Sequence, residues 1–182
     1  NKKKARLVIC GQFLDQFSDS ATTNIDATPL RCLLANGWQK DWVIGGMDIT
    51  AAFLHADLPK ERFLLICLPP CLILLGVVPA DEIWVVEKAL YGLKEAPRYW
   101  EDHRDKVLKN MSFKSNGKSY YLARSDVHHS IWNVYEEGSQ YDKVDPVDLV
   151  SSPIPRLPAK RSKPVATIGF YVDDSIWTGP RS

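Results

Sequence analysis

Two adjacent carboxylates, Asp173 and Asp174, stand inside the β-prone run IGFYVDDSIWTG (Ile168 to Gly179). Like charges side by side in a half-buried strand repel each other and are costly to desolvate. Either a cation binds there or the segment is a solvated loop. A tight strand–turn–strand would present both aspartates together, and a pair of Mg²⁺ ions ~3.5–4 Å apart would remove the repulsion. In that chemistry one ion activates an attacking hydroxyl and the other steadies the leaving oxygen. A third carboxylate from another strand would complete the site. Asp48 is the best candidate, because it follows the apolar run Trp42 to Met47 where ITAAF turns the chain back. Backbone N–H groups at such a turn can hold phosphates. Asp48 alone would be unremarkable among 22 acidic residues.

Other groups offer weaker chemistry. The net charge of +1 neither favours nor excludes nucleic acid, since a binding face needs only local charge. Local charge exists in KKKAR (Lys2 to Arg6) and RLPAKRSK (Arg156 to Lys163), although solvated surface explains either run taken alone. The four cysteines, Cys10, Cys32, Cys67 and Cys71, show neither a CxxC pair nor dense disulfide spacing, which fits reduced intracellular thiols. No Cys pair has a matching His pair at zinc-ligand spacing. His128 and His129 are adjacent, and on a strand their rings would point to opposite faces.

The elements that must position these residues are those of a mixed α+β chain. ARLVIC (Ala5 to Cys10) reads as a short β-like run. A helix is predicted with Thr28 as N-cap and Pro29 at its first position, weakened or ended at Asn36-Gly37. WVIGGMDITAAFL reads as a strand ending near Asp48 and then a turn of helix. Phe63 to Ala80 is uncharged and almost long enough to span a bilayer, but Pro69-Pro70 disfavour a continuous helix. Two short buried strands, or a strand and a turn, are expected there. EIWVVEKAL is a further strand. The next helix has Pro97 at its first position, with Tyr99, Trp100, His103, Val107, Leu108 and Met111 on one face. SYYLA, SIWNVYE and the Asp173-Asp174 run supply the last strands. Glu137 to Pro164, rich in Pro and Ser, reads as a disordered insertion between paired strands.

Four segments, KKKARLVICGQ, MDITAAFLHADLP, EKALYGLKEAPRYW and FYVDDSIWTG, occur in that order. Together they resemble the reverse transcriptase (RNA-dependent DNA polymerase) of copia-type long-terminal-repeat retrotransposons, a part of the Pol polyprotein. That family carries KARLVA-G, MDVKTAFLHG-L, K-LYGLKQAPR-W and YVDD---TG. The resemblance implies α+β right-hand polymerase fingers and palm over residues 1–182, with a ferredoxin-like antiparallel palm sheet. It also implies that the chain starts within the fingers and stops before the primer grip, thumb and any ribonuclease H domain.

Carried over to this sequence, the resemblance makes Asp48, Asp173 and Asp174 the catalytic, metal-binding triad for two Mg²⁺ ions, or Mn²⁺. Ile49 would add a backbone carbonyl to a metal. Thr50, Ala51 and Ala52 would line the triphosphate pocket, and Phe53 would stack under the sugar and reject a 2′-hydroxyl. Lys4 or Arg6 would meet the triphosphate, with Tyr91 and Gly92 near the nucleotide and Tyr171 and Val172 at the primer terminus. Bland roles stand beside these: Phe53 and Tyr91 as core aromatics, Gly92 as a turn residue and the PRYW helix as support. The implied partners are an RNA template, a DNA primer, dNTP and other Pol domains, with no membrane. The implied location is the cytoplasm, in a virus-like particle, or the nucleus.

Several positions depart from the family pattern. Cys71 sits where a Gly is expected, Glu95 replaces a Gln and adds negative charge, and Asn36-Gly37 interrupts a helix that the family keeps continuous. The insertion is longer than the connection it replaces. Two functional readings therefore stand: an RNA-directed DNA polymerase fragment, and a non-catalytic relic binding nucleic acid or protein weakly. A metal-dependent hydrolase explains the carboxylates but not the order of the other three motifs.

Overall fold

Helix α1 (Ala27–Gln39) runs straight through the Asn36-Gly37 pair that was expected to break it. Gly37 is buried, and a Cβ there would meet Thr178 Cγ2 at 2.9 Å, so the glycine serves close packing and not chain termination. The helix begins earlier than expected, with Asp26 as N-cap and Leu30 N–H donating to the Asp26 carbonyl at 3.0 Å. Pro29 is then the third helical residue, where a missing N–H costs nothing because the first four amides have no helical acceptor. At the other end Asp41 takes a left-handed φ of 52°, and Trp42 N–H closes on the Gly37 carbonyl at 2.9 Å. That Schellman-type closure turns the chain into strand β1 (Val43–Asp48).

The computed structural model describes residues 7–15, 19–138 and 163–181. Lys4, Arg6 and residues 139–162 of the Pro/Ser-rich insertion lie outside the described residues. The chain divides into two compact units.

One unit comprises Asn24–Met47, Leu108–Tyr171 and Ser175–Ser182 and holds α1 and most of a six-stranded sheet. Its strands are β1, β4 (Ser112–Ser115), β5 (Lys118–Arg124), β6 (Ile131–Glu136), β7 (Ala166–Tyr171) and β8 (Asp174–Gly179). Their spatial order is β1-β8-β7-β6-β5-β4. The pairs β4–β5, β5–β6 and β6–β7 are antiparallel, with Trp132 opposite Ile168 and Val134 opposite Ala166. Trp132, Val134 and Phe170 are buried, as is Leu33 of α1, whose Cδ1 lies over Gly169. The β-branched and aromatic alternation of β6 and β7 is what a half-buried sheet face requires.

The other unit comprises Asn1–Thr23, Asp48–Val107 and Val172–Asp174. Its core is Ala56, Leu64, Val86, Ala89, Leu93 and Ala96. Strand β2 (Leu65–Cys67) pairs antiparallel with β3 (Ile83–Val85). The Phe63 to Ala80 run resolves into β2 and the short helix α2 (Pro70–Leu74), with Pro70 at its first position. It is buried only in part: Leu64 and Leu68 are buried, whereas Phe63, Leu65, Leu74 and Leu75 are exposed. No helix among the described residues is long and apolar enough to cross a membrane. All four cysteines are free and exposed.

Residues 7–10 form no strand, contrary to expectation; they lead into a 3₁₀ turn at Gly11–Phe13. Helix α3 (Ala96–Asn110) starts one residue before Pro97. Its buried face is Trp100, Glu101, Arg104 and Leu108, whereas Val107 and Met111 are exposed. Charge can face inward because Arg104 donates to Asp105 Oδ1 at 3.0 and 2.8 Å and lies 3.7 Å from Glu101, whose Oε2 also accepts the Thr23 N–H at 3.0 Å. Burial pulls the Arg104 guanidinium below its usual range, and Glu101 opposes that pull.

Candidate active site

Asp48 is the last residue of β1 and Asp174 the first of β8, neighbouring strands in the sheet. Val172 and Asp173 are the two residues that join β7 to β8. All three aspartates belong to the same compact unit. Ile49 N–H donates to the Asp173 carbonyl at 3.0 Å, which ties the residue after Asp48 to the turn. Asp48 and Asp174 are exposed and Asp173 is half-buried. None of the three carboxylates has an ion-pair or hydrogen-bond partner among the described residues. The donor set is all carboxylate oxygen, which suits hard divalent cations such as Mg²⁺ or Mn²⁺. The side chains are nevertheless not drawn together: among the described residues no group of three or more His, Cys, Asp or Glu is arranged to hold a metal ion.

The turn itself is strained. Val172 has φ 54°, a left-handed conformation that costs a β-branched residue of order 1–3 kcal/mol. Its carbonyl accepts the Trp100 indole N–H at 2.8 Å. Sequence reasoning gave the PRYW helix no part in the site, because an aromatic on an amphipathic helix reads as core. The available signal was that a buried Trp N–H needs an acceptor.

After Asp48 the chain makes a left-handed step at Ala51, φ 55°, which caps the 3₁₀ turn Ala52–His55. His55 Nε2 lies 3.2 Å from the Thr50 carbonyl, and Ala52 is buried. Phe53 packs against the core cluster, and its ring centroid is 4.9 Å from that of Tyr91 with a tilt of 55°. Gly92 has φ 95°, and a side chain there would collide with the Ile9 carbonyl. Ile9 N–H donates to the Tyr91 carbonyl at 2.8 Å. Phe53, Tyr91 and Gly92 are thus brought together, with the segment after the basic start laid along them. Lys94 Nζ reaches the Leu14 carbonyl at 3.1 Å, and Arg62 reaches that of Asp15 at 3.3 Å.

Glu95, which stands where the family carries Gln, is turned into the protein. It is 2% exposed and faces Arg62 at 3.7 Å. Tyr171 ends β7 and is exposed. Cys71 sits exposed in α2.

The profile of the reverse transcriptase (RNA-dependent DNA polymerase) family matches residues 1–134, and the chain belongs to that family of nucleotidyltransferases. Asp48, Phe53, Tyr91 and Gly92 lie within the matched residues; Tyr171 to Asp174 lie beyond them. Among curated relatives are the retrovirus-related Pol polyproteins from transposons RE2 and RE1 of Arabidopsis thaliana. They are 35% and 34% identical over 106 residues, covering 55% of this chain and 7% of each relative. The Pol polyprotein from transposon TNT 1-94 of Nicotiana tabacum is 30% identical over 114 residues, covering 60% of this chain and 8% of that protein. The chain therefore spans under a tenth of the length of these relatives. No solved structure matches it.

Proposed function

We propose that this chain is the fingers and palm portion of an RNA-directed DNA polymerase within a retrotransposon Pol polyprotein. Its reaction is attack of a primer 3′-hydroxyl on the α-phosphate of a dNTP, templated by RNA, with release of pyrophosphate. The carrying observation is the Ile49 N–H to Asp173 carbonyl bond, which joins the Asp48 strand end to the Asp173-Asp174 turn.

Asp48, Asp173 and Asp174, with the Ile49 carbonyl, would hold two Mg²⁺ or Mn²⁺ ions. When bound, such ions supply Lewis-acid activation of the hydroxyl and charge stabilisation of the leaving oxygen. The chain's own groups orient the reactants. The backbone of Thr50, Ala51 and Ala52 lines the triphosphate pocket. Phe53, steadied by Tyr91, lies under the sugar and excludes a 2′-hydroxyl. Gly92 lies with Tyr91 beside the nucleotide, and Lys4 or Arg6 neutralises the triphosphate. Tyr171 and Val172 border the primer terminus.

Incorporation of dNTP on a primed RNA template, by this chain within its Pol polyprotein, tests the proposal. Asp173→Asn and Asp174→Asn should each abolish incorporation; full activity in either would defeat the assignment. A second reading, a non-catalytic relic that binds nucleic acid weakly, draws support from one observation: the three carboxylates are not gathered. It predicts template binding with no incorporation by the unsubstituted protein.

A further inference from the structure

We infer that Trp100 is a positioning residue that holds the Asp173-Asp174 turn in its strained form. The inference rests on the reading of that turn as the metal-binding corner. Val172 occupies a left-handed φ of 54° that its β-branched side chain disfavours. Left alone, the 172–173 peptide would rotate to relieve it and would carry Asp173 with it. Two bonds from outside the hairpin oppose that rotation. Trp100 Nε1 donates to the Val172 carbonyl at 2.8 Å, and Ile49 N–H donates to the Asp173 carbonyl at 3.0 Å.

The indole is well placed to act as a fixed post. It is buried at 4% exposure and can only donate, so its N–H has one use here. Two imidazoles flank it: His103 stacks at 6.0 Å and 25°, and His55 lies tilted at 6.2 Å. His55 also touches the Thr50 carbonyl, two residues after Asp48. Thr50, His55, Trp100 and Val172 therefore form one continuous support behind both the Asp48 turn and the Asp173-Asp174 turn.

The test compares Trp100→Phe, Val172→Gly and the double variant in this chain. Glycine removes the strain at position 172, so the anchor becomes dispensable there. Amide exchange at Ile49 reads whether the Asp173 carbonyl stays in place, and Mn²⁺ binding reads the carboxylates. Trp100→Phe should raise Ile49 exchange about fivefold, the scale of one lost hydrogen bond. It should weaken Mn²⁺ binding about tenfold, as loss of a ligand-orienting partner does. Adding Val172→Gly should restore both. Unchanged Ile49 exchange in Trp100→Phe overturns the inference, and so does a loss that Val172→Gly leaves unrepaired, since that marks simple core filling. Should Trp100→Phe not fold, indole exchange in the unsubstituted chain decides: the Trp100 N–H should be far slower than that of Trp38, which is 83% exposed, and equal rates overturn it. Mn²⁺ binding insensitive to Asp173→Asn would defeat the metal reading alone, while Ile49 exchange still judges Trp100.

Discussion

Phe53 and Tyr91 lie with ring centroids 4.9 Å apart and planes tilted by 55°, although 38 positions separate them (91 minus 53). The contact joins the turn after Asp48 to the loop before α3. It makes the proposed sugar-facing ring part of a packed unit, because Phe53 also rests on the core cluster. A ring held this way can exclude by shape, which a freely rotating one cannot.

Phe53→Val should therefore do two things. It should relax selection against ribonucleotides, by about 10²-fold if exclusion is steric, measured as the ratio of dNTP to rNTP incorporation. It should also lower stability by about 1–3 kcal/mol through the lost packing, measured by urea unfolding. An unchanged ratio with the stability loss present would make Phe53 a core aromatic only.

Glu95 faces Arg62 at 3.7 Å from a side chain that is nearly inaccessible. Glu95→Ala leaves Arg62 without that carboxylate and should cost about 3 kcal/mol, whereas Glu95→Gln, which keeps an acceptor, should cost about 1–2 kcal/mol. Replacing both partners, as Glu95→Leu with Arg62→Met, should recover much of the loss. Denaturant unfolding of the four proteins checks the order.

Gly37→Ala sets two effects against each other. Helix propensity favours alanine by about 1 kcal/mol, while the clash with Thr178 Cγ2 should cost about 1–3 kcal/mol. Net destabilisation is expected in thermal melts; stabilisation would mean that α1 does not approach β8 this closely.

The exposed Asp57–Lys88 pair gives a pH dependence of known sign. The hydrogen bond and charge of Lys88 hold the Asp57 carboxyl below its ordinary 3.8. A depressed folded pKa means that the stabilisation is present above 3.8 and is lost as pH falls through the lower folded value. Asp57→Asn should melt slightly below the unsubstituted chain at neutral pH, and the gap should close on acidification. A gap that widens in acid would contradict the pairing.

Much of the corner that carries Asp48, Asp173 and Asp174 was legible in sequence. Alternating β-prone residues around Asp173-Asp174 and the apolar run before Asp48 predicted a hairpin and a strand end, and both formed. The β4–β5 hairpin was missed despite its signal: Asn116 and Gly117 take φ 50° and 74°, as an Asn-Gly turn does. The buried face of α3 was misread because periodicity counts apolar residues and cannot see that Arg104 turns inward with Asp105 and Glu101 as its partners. ARLVIC suggested a strand, but its described residues, 7–10, are tied instead by a tertiary bond from Ile9 N–H to the Tyr91 carbonyl. The Trp100 to Val172 bond spans 72 positions and leaves no local pattern to read.

The most direct test of the central claim is Mn²⁺ titration of this chain, followed by the electron paramagnetic resonance signal of free ion. If Asp48 and the Asp173-Asp174 turn form one site, Asp48→Asn, Asp173→Asn and Asp174→Asn should each weaken binding about tenfold or more. Binding by Asp48→Asn at the strength of the unsubstituted chain would show that the strand end and the turn do not share a metal.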